Sequence, residues 1–106
     1  MTHLRIWKFR PPQHRVEEFA TAYCGSGIWA ELFSKAKGYR GSTLLKPDQP
    51  GGWWMTIDRW DSLADFEAFG QGHGEEYRAL DAQLEGVARE EEFVGAFEES
   101  DSDPSP

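Results

Sequence analysis

Helix-like and strand-like spacings of apolar residues follow one another along this chain. In residues 4–9 (LRIWKF) aromatic and β-branched side chains form a short run that Pro11 and Pro12 stop, the pattern of a first strand. Val16, Phe19, Ala20 and Tyr23 recur at i, i+3, i+4 and i+7, which predicts an amphipathic helix ended by Gly25-Ser26-Gly27. Trp29, Leu32, Phe33 and Ala36 repeat that spacing in a second short helix of the same crossover, and Gly38 stands where a helix C-terminus favours positive φ. Residues 39–45 and 53–60 read as a hairpin of two strands around the turn-forming PDQPGG. Ser62, with Asp65 three positions on, is a weaker form of the capping box for a helix whose buried side is Leu63, Phe66 and Phe69 and which Gly70 is expected to close. After a Gly-rich link at residues 70–74, Tyr77, Leu80 and Leu84 share one face of another helix, and residues 93–97 (FVGAF) predict the last strand. The order is β-α-β-β-α-β, an α+β chain with four strands.

Side chains alternate faces along a strand, and here both faces carry apolar residues. Trp7 and Phe9 oppose Leu4 and Ile6; Trp53, Met55 and Ile57 oppose Trp54 and Trp60. Helices on one side of a sheet cover only one of those sets, so the second face needs a partner. A homodimer packed through its sheet faces is the simplest cover, because a two-fold contact lets one surface cover itself.

Composition narrows the functional classes. With 106 residues the chain is long enough for one core and too short for two, and 14% aromatic residues supply bulk without disulfides. A net charge of −8 repels a phosphate backbone, which argues against nucleic acid as a partner. Arg5, Lys8, Arg10 and Arg15 cluster near the N-terminus, where a solvated strand edge accounts for them. No apolar stretch approaches the roughly 20 residues of a membrane span and no apolar signal core opens the chain, so no membrane partner and a cytoplasmic location are expected. Cys24 is the only cysteine and has no His or Cys neighbour, so a packed thiol is expected, with no metal site. GQGHG at residues 70–74 follows a helix rather than a strand, the wrong context for a phosphate loop. No cofactor motif is present. Residues 98–106 contain only Glu, Asp, Ser and Pro, which predicts a disordered acidic tail after a domain of residues 1–97.

The element order, together with TIDRWDSLADFEAF (residues 56–69), resembles the antibiotic biosynthesis monooxygenase (ABM) family of dimeric α/β-barrel proteins, and especially its small uncharacterised members. The opening LRIWKFR, the stretch WAELF-x4-GYRG, the segment EYRALD and the closing GAFE carry the rest of the likeness. The resemblance implies a ferredoxin-like protomer, a homodimer, and a pocket between sheet and helices. Some members oxygenate polycyclic aromatic substrates with O2 and no metal or flavin, and others cleave haem. Both kinds look as though they use a polar set that includes an asparagine, and this chain contains no Asn. The haem cleavers also place a ligand histidine in the helical region after the third strand, whereas His73 falls in the Gly-rich link.

The candidate chemistry is therefore O2-dependent oxidation of a small phenol or quinol by a cofactor-independent monooxygenase. Trp60 matches the tryptophan of the family's strand-to-helix junction, where an indole floors a pocket; as a core anchor it would need no function. His73 is the histidine placed to accept a phenolic proton, against the reading of an exposed loop imidazole. Tyr77 falls one helical turn beyond it. Asp58 and Arg59 point to opposite faces, and Arg59 is the candidate to favour the substrate's anion, against a surface ion pair. Trp29, with Trp7, Trp53 and Trp54, offers either an aromatic slot for a flat ligand or ordinary packing. The competing class is a non-catalytic homodimer that binds a hydrophobic small molecule or serves an accessory role.

Overall fold

Residues 2–100 are described by the computed structural model. Strands β1 (His3–Arg10), β2 (Tyr39–Leu45), β3 (Trp54–Trp60) and β4 (Glu90–Glu98) form one antiparallel sheet in the order β2-β3-β1-β4. A 3-10 turn at Gln13–Arg15 leads into α1 (Val16–Tyr23) and then α2 (Ile28–Phe33); α3 (Leu63–Gly72) and α4 (Gly74–Gln83) form the second crossover. This is the expected α+β, ferredoxin-like arrangement, with two helical pieces in each crossover.

Local chemistry explains the boundaries. The Ser62 hydroxyl accepts the Asp65 N–H at 3.1 Å and caps α3 as the sequence suggests. Gly38 has φ +87°, and an added Cβ would collide with the Asp65 carboxylate, so position and neighbour both demand glycine. Gly70 does not close α3, contrary to expectation. The helix runs on to Gly72 and breaks at His73, whose N–H donates to the Phe69 carbonyl at 2.8 Å. A glycine inside a helix costs only about 1 kcal/mol relative to Ala, less than packing Phe66 and Phe69 returns.

The last strand begins at Glu90, not Phe93. Three consecutive glutamates hide it from a search for apolar alternation, yet Glu90 pairs with Arg10 at 2.5 Å and Glu92 with Lys8 at 3.1 Å across the ladder. Two of the four clustered N-terminal cations are thereby matched. The strand continues through Glu98, and the Glu99 N–H donates to the Thr2 carbonyl at 2.8 Å. The strand thus reaches one residue past the expected boundary at 97; residues 101–106 of the expected tail lie outside the described residues.

Two buried clusters fill the space between sheet and helices. One joins Trp29, Leu32 and Phe33 of α2 to Trp60, Phe69 and Leu80; the other joins Phe9, Phe19, Trp54 and Val87. Tyr23 and Leu84 touch both. The opposite sheet face carries half-buried Leu4, Ile6, Met55 and Ile57 with Leu45 and Phe97 about half exposed, and no helix among the described residues lies over it. No helix among the described residues is long and apolar enough to cross a membrane.

Candidate functional site

Between the two clusters a cavity of about 440 Å³ opens on the helical side of the sheet. That volume lies within the roughly 300–1,000 Å³ of small-molecule sites. Strand parity decides what faces it. Trp54, Thr56, Asp58 and Trp60 share one side of β3, and Arg5, Trp7 and Phe9 share the same side of β1. Trp29 and Phe33 from α2, Phe66 and Phe69 from α3, and Tyr77 from α4 complete aromatic walls. Exposed Tyr77, Arg78, Asp81 and Glu91 edge the mouth. A second depression of about 520 Å³ lies between α1 and α2 beside Glu17, Glu18 and Glu31, but it is shallow, lacks aromatic walls, and its Glu18 is tied to Arg15 at 2.9 Å.

Trp60, Tyr77 and Trp29 all line the cavity. Trp60 is 1% exposed and meets the rings of Phe33, Tyr39, Phe66 and Phe69, so it forms the cavity floor and a core anchor together. The Trp29 ring lies 5.0 Å from that of Tyr77, and its buried indole N–H, close to Tyr23, completes no well-formed hydrogen bond. Burial pushes the Tyr23 hydroxyl up to about 12. Of the other three tryptophans considered for the slot, Trp7 lines the cavity, Trp54 is packed against Phe19 in the core, and Trp53 lies between Lys8 and Arg10.

His73 and Arg59 are not brought to the cavity. His73 caps the break between α3 and α4, stacks on Phe69 with ring centroids 5.3 Å apart, and holds Glu76 through Nδ1 at 2.7 Å. Arg59 projects from the other face of the sheet, where it donates to the Thr43 hydroxyl at 2.8 Å. Both assignments as cavity groups are therefore corrected, the second by strand alternation alone.

Asp58 and Arg5 occupy the places that those two residues were expected to fill. They are direct partners across β1 and β3. The Ser42 hydroxyl donates to Asp58 at 2.6 Å and itself lies 2.5 Å from the Tyr39 hydroxyl. Burial pushes the Asp58 carboxyl up to about 6, against the pull of the Ser42 hydrogen bond and of Arg5 and Arg59. Glu91 at the mouth is likewise raised, first by desolvation and then by Asp81. The Arg5 guanidinium carbon sits 3.9 Å from the centre of the Phe66 ring and 4.9 Å from that of Phe93. Sequence reasoning dismissed Arg5 as part of a solvated edge. Its shared parity with Trp7 and Phe9 was the signal that it faces inward.

A haem does not fit this donor set. No histidine stands among the lining residues, and His73, in the link beyond them, is engaged by Phe69 and Glu76. The described residues also hold no cluster of three or more His, Cys, Asp or Glu side chains suited to a metal ion.

A two-helix crossover on either side of a hairpin, over an aromatic cavity, makes a ferredoxin-like fold that resembles the ABM family. Solved structures support that resemblance, although no family model and no curated protein sequence matches the chain. SnoaB, a cofactor-independent oxygenase from Streptomyces nogalater, is similar as a single-site variant with a TM-score of 0.66 at 18% identity over 98% of both chains. A variant of MhuD with two manganese protoporphyrin IX molecules bound per active site gives 0.68 at 20% identity, covering 98% of this chain and 99% of that one. The ActVA-Orf6 monooxygenase of Streptomyces coelicolor, in complex with nanaomycin D, gives 0.60 at 18% identity over 97% and 92%. At these identities the likeness is one of fold.

Proposed function

We propose that the chain is a cofactor-independent monooxygenase for a small planar phenol or quinol, with Trp60, Tyr77 and Trp29 binding the ring and Asp58 accepting its proton. The observation that carries this reading is the aromatic cavity of about 440 Å³ with one hydrogen-bonded carboxylate set into its wall. Its support from likeness is that SnoaB is a cofactor-independent oxygenase and that ActVA-Orf6 holds nanaomycin D.

The chemistry balances with O2 as the only co-reactant. A ring CH2 activated by a neighbouring carbonyl, the keto form of a phenol, gives a proton to Asp58. The enolate carbon then passes electrons to O2 and forms a C–O bond to a peroxide, which regains a proton. Loss of water leaves a carbonyl: one oxygen atom is retained, the other leaves as water, and the CH2 carbon supplies the four electrons. The protein provides orientation, a base and a dry cavity. A carboxyl with pKa about 6 is ionised at neutral pH and still basic enough to take the proton.

Oxygen uptake with a panel of anthrones and hydroxynaphthoquinols tests the proposal. Rates above buffer blanks are expected, with His73→Ala retaining them because its ring lies outside the cavity wall. Blank rates across the panel would remove the enzyme reading. Ring binding without oxygen uptake would leave the alternative, a protein that binds a hydrophobic small molecule.

We further propose that two copies pair through the helix-free sheet face. Its apolar side chains, from Leu45 on β2 to Phe97 on β4, span all four strands and offer a self-complementary surface. Light scattering is expected to give twice the 12.1 kDa chain mass, and Ile57→Lys to give monomer or loss of fold, since a lysine would be buried unpaired. A monomeric wild-type protein at micromolar concentration would end this proposal.

A further inference from the structure

Arg5 is a half-buried cation on the cavity wall. Its guanidinium carbon lies over the rings of Phe66 of α3 and Phe93 of β4, and the group makes no hydrogen bond or ion pair among the described residues. Cation–π contact supplies no hydrogen bond, so the five N–H donors are left unused by these neighbours. By contrast Arg10, Arg15 and Arg40 each meet a carboxylate. Desolvation is the largest influence on Arg5 and lowers its pKa, while Asp58 is the first of the groups that raise it. A partly desolvated cation with idle donors beside an aromatic cavity is a site for an oxyanion.

The groups around it fit that assignment. Asp58 on β3, Glu67 on α3, Tyr77 on α4 and the buried His3 on β1 itself are charged or titratable neighbours of Arg5, with Asp81 and Glu91 at the mouth. An ionised Asp58 repels a second anion; once it has taken a proton it is neutral, and Arg5 then faces the new negative charge alone.

We propose that Arg5 is the anion-holding residue of the cavity, its guanidinium taking the acidic oxygen of the ligand, so that the site selects small aromatic rings able to bind as phenolates. This rests on the cavity being a ring-binding site, and it adds a charge requirement that the cavity's shape does not impose.

Two probes of the same ring separate the two ideas: para-nitrophenol, whose absorbance reports its ionisation, and para-nitroanisole, its neutral methyl ether. Bound nitrophenol is expected to ionise with a constant about tenfold larger than in water, a shift of one pKa unit. In Arg5→Gln that gain should vanish while nitroanisole affinity stays the same; Arg5→Lys, which keeps the charge and loses the fork, should retain part of it. Asp58 and Glu91 oppose the anion as they ionise, so each variant is compared with wild type at equal pH. A gain that survives in Arg5→Gln overturns the proposal and leaves ring binding intact. If Arg5→Gln does not fold, the wild-type titration decides: no preference for phenolate over the ether overturns it. Failure of both probes to bind overturns the ring-binding reading and this inference with it.

Discussion

Asp58→Asn should make the protein more stable at neutral pH and at the same time disable the proposed reaction. Burial raises the Asp58 carboxyl from an ordinary 3.8 to about 6, so the native state binds its proton more tightly than the unfolded chain does. The linkage sign follows: wild-type stability falls as pH rises from about 4 through 6 and then levels off, because a charge is being created inside the fold. At pH 7 that charge costs on the order of 1–3 kcal/mol. Asparagine keeps an oxygen for the Ser42 hydroxyl and carries no charge, so denaturant unfolding should show a gain of about that size at pH 7 and almost none near pH 4. His3, buried and with a lowered pKa, has the opposite sign and weakens the fold as pH falls below 6.5. It is common to both proteins and cancels in the difference. Oxygenation, if general base catalysis by Asp58 carries it, should drop about 10²- to 10⁴-fold. Unchanged rates would move the base elsewhere; a destabilised variant would show that the carboxylate is worth more to the fold than its burial costs.

Trp60→Ala should be the most damaging single change to the fold. The indole is almost fully buried, and four rings meet it with centroids 5.3 to 5.8 Å away. Truncation of such a residue costs about 3–5 kcal/mol, a large share of the roughly 5–15 kcal/mol that holds a domain together. A melting temperature lowered by more than about 12 °C is expected, and Trp60→Phe should lose much less. A loss below about 1 kcal/mol would mean that Phe33, Phe66 and Phe69 close the gap unaided.

The elements that sequence spacing located are those whose signals are local. Ser62 and Asp65 announce their helix start, Gly38 its turn, and the turn chemistry of PDQPGG the hairpin of β2 and β3. Errors arose where a distant partner decides the outcome. Glu90 becomes strand because Arg10 lies opposite it in the ladder, and no neighbour in sequence shows that. Alternation also showed that either Asp58 or Arg59 faces inward without choosing between them. The choice was available: Asp58 has the parity of Trp54 and Trp60, the strand's two buried tryptophans. His73, chemically conspicuous in the sequence, lies outside the cavity wall, while Arg5 lines it and lies over the ring of Phe93, nearly the whole chain away.

That separation has a kinetic consequence. β1 is central in the sheet and bonds to β3 on one side and to β4 on the other, with Leu4 opposite Phe97 and Arg10 opposite Glu90. During synthesis the first strand emerges long before its second neighbour, so the sheet cannot be completed until residues 90–98 are released. Loop-closure entropy for such end-to-end pairing must be overcome before the contacts reward it, which places this fold among the slower mixed domains despite its local helices. Until β4 docks, the Phe93 ring beside Arg5 is missing. The proposed anion site is therefore complete only once β4 has docked.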